Sequence, residues 1–244
     1  MHNCDPRLDA SALATRLKTF FATGPEGIIF DCDGVLVDSL EANIRYYNLL
    51  RKELGLPPIS PEQESYVQMS TVDQALKAII PPALWPGLRE AARRIPYRQE
   101  ILPLLAASPG LSDLLAACRR HGLRLGIHTN RMDGMDDVLT HCGLEGMFNP
   151  VITASCVPAK PDPHGTLLIL EQWGLPAHQV LFIGDSSTDR DAAAAAGVPF
   201  LPYRNPHLVP GGCCTVFDDL TNALEMIWRT AGEILPTHEP ECVG

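Results

Sequence analysis

The sequence predicts an α/β fold: a parallel sheet with helices on both faces, three layers in all, plus an inserted α-helical cap. Three observations predict it. Strand-like runs alternate with helical rhythms over the second half of the chain, the pattern of βαβ units that build a parallel sheet. A βαβ unit needs only about 30 residues, yet roughly a hundred separate Asp31 from Thr129 at the ends of the first two strand-like runs, so an insertion lies between them. The tetrapeptide Asp31-Cys32-Asp33-Gly34 closes the apolar run Ile28-Ile29-Phe30 and sets two carboxylates where a buried strand meets solvent. In open α/β sheets ligands gather outside the carboxyl ends of strands.

Residues 9–22 carry a helical rhythm of apolar residues (Leu13, Leu17, Phe20, Phe21) and stop at Thr23-Gly24-Pro25, a chain-breaking signal. This predicts a leading helix outside the core. Ile28-Ile29-Phe30 reads as a central strand. From about Ser39 to Leu102 the pattern turns helical, with Ile44, Tyr47, Leu50 and Leu54 ahead of Gly55 and Pro57, and further helices are expected from Pro61, Thr71 and Pro82. Alternation then resumes. Helices are expected at 111–121, 133–141, 163–173 and 189–196, and strands at 123–128, 151–154, 180–183 and 198–201. The core is expected to comprise residues 1–38 and 103–230 and the cap 39–102, with 231–244 a flexible tail.

Composition narrows the function. Nineteen basic against twenty-nine acidic residues give a net charge of -10, which repels nucleic acid and acidic membranes at long range, so any anionic substrate must be held by local cations. No apolar run reaches the roughly 18 residues of a membrane span, and Arg7, Arg16 and Lys18 interrupt the amino-terminal segment, unlike a secretory signal. Eight scattered cysteines, with only Cys213-Cys214 adjacent, read as reduced thiols in a cytoplasmic protein.

Four strand ends carry polar residues: Asp31 with Asp33, Thr129 with Asn130, Lys160, and Asp185 with Asp189. A parallel sheet brings these ends to one edge, and together they describe a phosphate site with a metal. Phosphoryl transfer needs a nucleophile and neutralisation of a dianion. Asp31 and Asp185 are hard oxygen ligands suited to Mg²⁺, Lys160 supplies a positive charge, and Thr129 and Asn130 supply hydrogen-bond donors. A carboxylate nucleophile leads to an aspartyl-phosphate, and Asp33 then suits the acid and base roles. Pro161 favours an extended Lys160, while Asp162 and Pro163 suit the start of a helix. Ser186 and Asp189 have the spacing of a capping box, so Asp189 is either a helix-start residue or a supporting group behind the site. Cys32 reads as a small buried hydrophobe.

The run from Ile28 to Ser39, Thr129-Asn130, Lys160-Pro161 and Gly184-Asp185-x-x-x-Asp189 occur in the order of, and resemble, the four motifs of the haloacid dehalogenase superfamily, in its phosphatase branch with a helical cap. The match spans residues 27 to 200. The resemblance implies a Rossmann-like core, Mg²⁺ as cofactor, and Asp31, Asp33 and Lys160 as catalytic residues, with Asp31 the nucleophile. It implies Thr129, Asn130 and Lys160 as phosphate holders, and Asp31, Asp185 and the backbone carbonyl of Asp33 as metal ligands. The layout is similar to phosphoglycolate phosphatases and to β-phosphoglucomutase. The expected partner is a small phosphorylated metabolite, acted on by a monomer or homodimer. Phosphomutase chemistry and a catalytically silent binding module are the alternatives. By the same similarity Gln68-Met69-Ser70-Thr71 and Arg45 are candidate cap contacts. The run Arg89, Arg93, Arg94 and Arg98 reads as a basic face of the last cap helix, solvated or facing a second anionic group, and Arg131 adjoins the phosphate holders or faces solvent.

Overall fold

Four residues that are apolar or lack a side chain, Gly27–Phe30, form strand β1, every one of them buried. In the structure, a computed structural model that describes residues 7–67 and 72–234, β1 follows helix α1 (Ala10–Lys18), whose Asp9 side chain caps it by accepting from the Ala12 N–H. Beyond β1 come the short strand β2 (Val37–Asp38) and helices α2 (Leu40–Glu53), α3 (Pro61–Val67), α4 (Val72–Ile79), α5 (Leu88–Arg94) and α6 (Tyr97–Glu100). Strand β3 (Ala106–Ala107), helix α7 (Leu111–Arg120), strand β4 (Arg124–Thr129) and helix α8 (Met135–His141) follow. The chain then alternates through β5 (Val151–Thr153), α9 (His164–Trp173), β6 (Val180–Gly184), α10 (Ser187–Ala195) and β7 (Phe200–Pro202), and reaches α11 (Phe217–Ile234).

These elements cluster into two compact units. One comprises residues up to Asp31, Pro109–Asn130 and the chain from Met147 on; the other comprises Cys32–Ser108 and Arg131–Gly146. The first holds a five-stranded sheet in the order β5-β4-β1-β6-β7 with every pairing parallel, as the βαβ alternation predicts. Successive strand residues point to opposite faces. Ile29 joins α9 and α10 in a cluster with Ile169, Trp173, Phe182 and Ala193, while Phe30 meets Phe217 of α11 edge to face. Helices therefore cover both faces, in a Rossmann-like arrangement of three layers. The chain runs from β1 through β4 to β5 on one side, then returns to build β6 and β7 on the other. That reversal places the switch point, where such sheets bind ligands, at the carboxyl end of β1.

Two glycines on neighbouring strands explain where α9 lies. A Cβ on Gly27 would fall 2.6 Å from the Trp173 ring, and one on Gly126 would fall 2.9 Å from it. The two bare backbones form a floor for the indole, whose Nε1 donates to the Asn149 carbonyl at 2.8 Å.

The sheet unit departs from the sequence expectations at its ends. Helix α11 has no counterpart among them and continues through Ile234, past the point where a tail was expected to begin; residues 235–244 lie outside the described residues. Its apolar positions Phe217, Leu220, Leu224 and Ile227 are fully buried, a helical repeat, and α11 packs on α1 and α7. Pro163, not Asp162, is the N-cap of α9, although the Asp162 carboxylate still accepts from the His164 N–H at 2.9 Å.

The second unit is helical apart from the two-residue ribbon of β2 and β3. Its core gathers Tyr47, Ile59, Val67, Ala75, Ile79 and Ile80. The buried Arg51 guanidinium donates to the carbonyls of Pro57 and Ile79, satisfying backbone groups that the short helices leave open. The chain from Pro82 to Gly87 forms a 3₁₀ helix rather than an α-helix. The basic run does not share one helix either: Pro96, which cannot donate within a helix, divides α5 from α6. Residues 131–146, which the sequence reading kept with the sheet, cluster here with the helices, tied by Arg98 to Asp137 at 2.7 Å. Among the described residues no helix is long and apolar enough to cross a membrane, and the cysteines are thiols rather than disulfides.

Replacing Gly27 with Ala is expected to lower stability by about 1–3 kcal/mol, the usual cost of overpacking, and to perturb tryptophan emission. Urea unfolding followed by fluorescence measures both, and an unchanged midpoint contradicts the tight floor under Trp173.

Candidate active site

At the switch point one ammonium group meets three oxygens. Lys160 Nζ donates to Asp31 Oδ1 at 2.7 Å, to Asp189 Oδ1 at 2.5 Å and to the His128 carbonyl at 2.7 Å. An ammonium has three N–H donors, so all are used, and the side chain is only 1% exposed. Burial works against this charge, but the two carboxylates outweigh it and raise the Lys160 pKa. Lys160 is thus a fixed cation between the ends of β1, β4 and α10.

Each partner is held in turn. Asp31 follows β1, and its N–H donates to the Ile183 carbonyl at 3.0 Å, extending the β1–β6 ladder past the last strand residue. Asn130 binds Lys160 in both directions: its Oδ1 accepts from the Lys160 N–H at 2.7 Å and its Nδ2 donates to the Lys160 carbonyl at 3.1 Å. That amide acts as a strut setting the backbone that carries the ammonium, a role the spacing did not announce. The Lys160–Pro161 peptide is cis. Thr129 is buried as the last residue of β4, paired in register with Thr153.

Asp189 both caps α10 and contacts Lys160. Its Oδ2 accepts from the Ser186 N–H at 3.0 Å while Ser186 Oγ accepts from the Asp189 N–H at 3.2 Å, the capping box of α10. Its other oxygen reaches Lys160. Such an approach requires Gly184, because a Cβ there would lie 2.4 Å from Asp189 Cβ. Asp185, half-buried, sits on the same turn, and Asn205 Nδ2 anchors its carbonyl at 2.9 Å. One carboxylate oxygen from each of Asp31, Asp185 and Asp189 lies within 4.8 Å of the others. Sequence reading missed His128. Its carbonyl holds Lys160, its Nδ1 meets Thr166 Oγ1 at 3.0 Å, and burial followed by the Lys160 charge lowers its pKa to about 3. The ring is therefore neutral, and bare Gly165 makes room for it.

Asp33 belongs to the helical unit. Arg131 Nε donates to its Oδ2 and Nη2 to its Oδ1, both at 2.7 Å, and Arg131 Nη1 donates to the Tyr97 hydroxyl at 2.7 Å. Burial opposes the Arg131 charge, but Asp33 overrides it and the pKa is raised. Arg131 therefore neither faces solvent nor lies without a partner. The remaining basic candidates are engaged with acids: Arg45 with Glu100, Arg93 with Glu90, Arg94 with Glu53 and Glu90, and Arg98 with Asp137. These side chains are 48–72% exposed, as in a solvated surface. Arg89 is exposed on α5. Cys32 is fully buried, as expected of a small hydrophobe. Gln68-Met69-Ser70-Thr71 lies outside the described residues.

Comparison with known proteins agrees with the motif order. The haloacid dehalogenase-like hydrolase pattern matches residues 28–202. The chain belongs to the haloacid dehalogenase-like hydrolases. Among its relatives is the phosphoglycolate phosphatase of Rhodospirillum rubrum, 32% identical over 219 residues that span 81% of this chain and 89% of the relative. A solved haloacid dehalogenase superfamily hydrolase of subfamily IA, variant 1, from Geobacter sulfurreducens superposes with a TM-score of 0.68 at 34% identity, covering 79% of this chain and 95% of that one. The β-phosphoglucomutase of Clostridium difficile gives a TM-score of 0.66 at 17% identity over 86% of this chain and 99% of its own, a likeness of fold alone.

Replacing Asp189 with Ala removes a helix cap and one of Lys160's two anionic partners together, while replacing Ser186 with Ala removes the cap side chain alone. The first is expected to cost about 3–5 kcal/mol, as for breaking a buried pair, and the second about 1 kcal/mol. Equal losses in urea unfolding contradict the second role of Asp189.

Proposed function

We propose that this hydrolase is a Mg²⁺-dependent phosphatase that cleaves a small phosphorylated metabolite of the phosphoglycolate class through an aspartyl-phosphate on Asp31. The observation that carries the proposal is the buried Lys160 ammonium bridging Asp31 and Asp189 at the switch point, with Asp185 beside them. One cation against three carboxylates leaves the cluster with excess negative charge, so an anionic ester needs a further cation there.

The donors fit magnesium. Mg²⁺ takes oxygen ligands at about 2.0–2.1 Å in an octahedron, so two ligands lie at most about 4.2 Å apart. The acidic trio offers three hard oxygens within 4.8 Å, a range that small side-chain rotations close. Both Asp189 oxygens are engaged by Lys160 and Ser186, so Asp31 and Asp185 are the side chains that would hold the ion, joined, by family resemblance, by the Asp33 carbonyl. Bound there, Mg²⁺ would offset charge on the phosphoryl oxygens and relieve their repulsion from the carboxylates.

The protein's own groups carry the bond changes. A carboxylate oxygen of Asp31 attacks phosphorus, the ester P–O bond breaks, and Asp33 gives the departing alkoxide its proton. Water then attacks the phosphorus of the acyl phosphate, Asp33 takes a proton from it, and the P–O bond to Asp31 breaks, releasing inorganic phosphate and restoring the Asp31 carboxylate. Covalent geometry alone keeps the Cα atoms of Asp31 and Asp33 within about 7 Å. The Thr129 hydroxyl is a phosphate holder, and Lys160, whose three N–H groups are already engaged, acts on the phosphoryl group through its charge. The Asn130 amide, spent on the Lys160 backbone, serves them indirectly, leaving its backbone N–H as the group to offer. The helical unit acts as the cap that selects the leaving group, since the sheet-end residues recognise phosphate alone. The R. rubrum relative supports phosphoglycolate as that substrate.

Replacing Asp31 with Asn is expected to lower phosphoglycolate and p-nitrophenyl phosphate turnover by at least about 10³-fold, the scale of losing a nucleophile, with the urea midpoint largely retained. Near wild-type turnover by the variant removes the mechanism. Chelating Mg²⁺ with EDTA is expected to stop turnover and readdition to restore it; activity indifferent to chelation contradicts the metal requirement.

A further inference from the structure

On the reading of Asp33 as acid and base, whatever orients its carboxylate governs whether a proton reaches the leaving oxygen. The carboxylate is one-third exposed and sits on a turn made by Gly34 at φ 76°, a backbone conformation that favours glycine. By itself a short side chain on such a turn samples several rotamers. It is not left to do so: the planar fork of Arg131 grips both of its oxygens at 2.7 Å, the bidentate geometry that fixes direction as well as distance.

Arg131 is fixed in turn. Its third contact is the Tyr97 hydroxyl at 2.7 Å, its guanidinium carbon lies 5.9 Å from the Tyr97 ring centroid, and its side chain is 13% exposed. The next residue along α6, Arg98, holds Asp137 by two bonds of 2.7 and 3.0 Å. Consecutive residues of one short helix thus bind two residues of the 131–137 segment, which sets the register between them. A surface ion pair contributes little stability, but it costs little to hold a direction already favoured.

We infer that Arg131 is the positioning residue for Asp33, that Tyr97 fixes Arg131, and that this relay, resting on the acid–base role proposed for Asp33, extends the catalytic machinery into helix α6. A base oriented by a second group that is itself held by a third is the recurring design of proton-transferring sites. The relay couples the acid to the helical unit that selects substrate, so substitutions on α6 alter the rate of the chemical step as well as binding.

The test compares leaving groups. An alkyl ester, phosphoglycolate first, expels an alkoxide that needs a proton, whereas p-nitrophenyl phosphate expels a phenolate that does not. With saturating Mg²⁺, Arg131→Met is expected to lower kcat on the alkyl ester about a hundredfold, the scale of a misplaced catalytic group, and on p-nitrophenyl phosphate several-fold less. Arg131→Lys, which keeps the charge without the fork, is expected to fall between wild type and Arg131→Met. Tyr97→Phe acts in the same direction by a smaller factor, and serves alone if the arginine variants unfold. In an Asp33→Asn background the Arg131→Met effect is expected to vanish, as coupled residues require. Equal losses on both esters, a change in KM alone, or an undiminished effect without Asp33 overturns the relay. Failure of the underlying mechanism shows separately, as undiminished turnover by Asp31→Asn.

Discussion

A buried ammonium group cannot stand alone, and Lys160 is the constraint around which this site is arranged. Removing a charge from water costs several kcal/mol even after relaxation; Lys160 offsets this with two carboxylates and one carbonyl, each within hydrogen-bond distance. The reverse also holds. Asp31 and Asp189, nearly or fully buried, tolerate each other's charge because the cation lies between them. No one of the three is stable in place without the others, so the ends of β1 and β4, the loop carrying Lys160 and the first turn of α10 are bound into one geometry. What is left over is negative charge, carried by the clustered carboxylates of Asp31, Asp185 and Asp189.

The fold supplies this arrangement through close approaches that few residues permit. Gly184 lets the Asp189 carboxylate come near the end of β6, and Gly165 leaves room for the neutral His128 ring whose carbonyl completes the lysine's set. At the other end of the strands, Gly27 and Gly126 admit Trp173 and anchor α9. Parallel pairing then delivers the polar residues to one edge, at the switch point where the strand order reverses.

Local signals were legible in the sequence and long-range ones were not. Two acids closing an apolar run, the Ser186–Asp189 spacing and the βαβ alternation each depend on neighbours in the chain, and the structure contains all three features. Asn130 offered the right residue type with a different use: its amide grips the backbone of Lys160, thirty residues on, a pairing that no local pattern encodes. Arg131 and Asp33 are separated by 98 positions, and nothing near either one announces the other. The grouping of residues 131–146 with the helices follows from the same contacts. The split of α5 from α6 was readable at Pro96, whereas the arginine spacing alone suggested one face. Helix α11, for which the sequence reading gave no element, carries an apolar repeat of its own at Phe217, Leu220, Leu224 and Ile227.

The central claim is that the carboxylate held by Lys160 is the group that accepts the phosphoryl. Acid quenching during the first turnover of phosphoglycolate with Mg²⁺, followed by peptide mass spectrometry, tests it most directly. The account predicts an acid-stable, base-labile phosphate on the peptide that contains Asp31, absent when that residue is Asn. Phosphate carried by any other residue, or product formed in a first turnover with no phosphorylated peptide at any time, contradicts it.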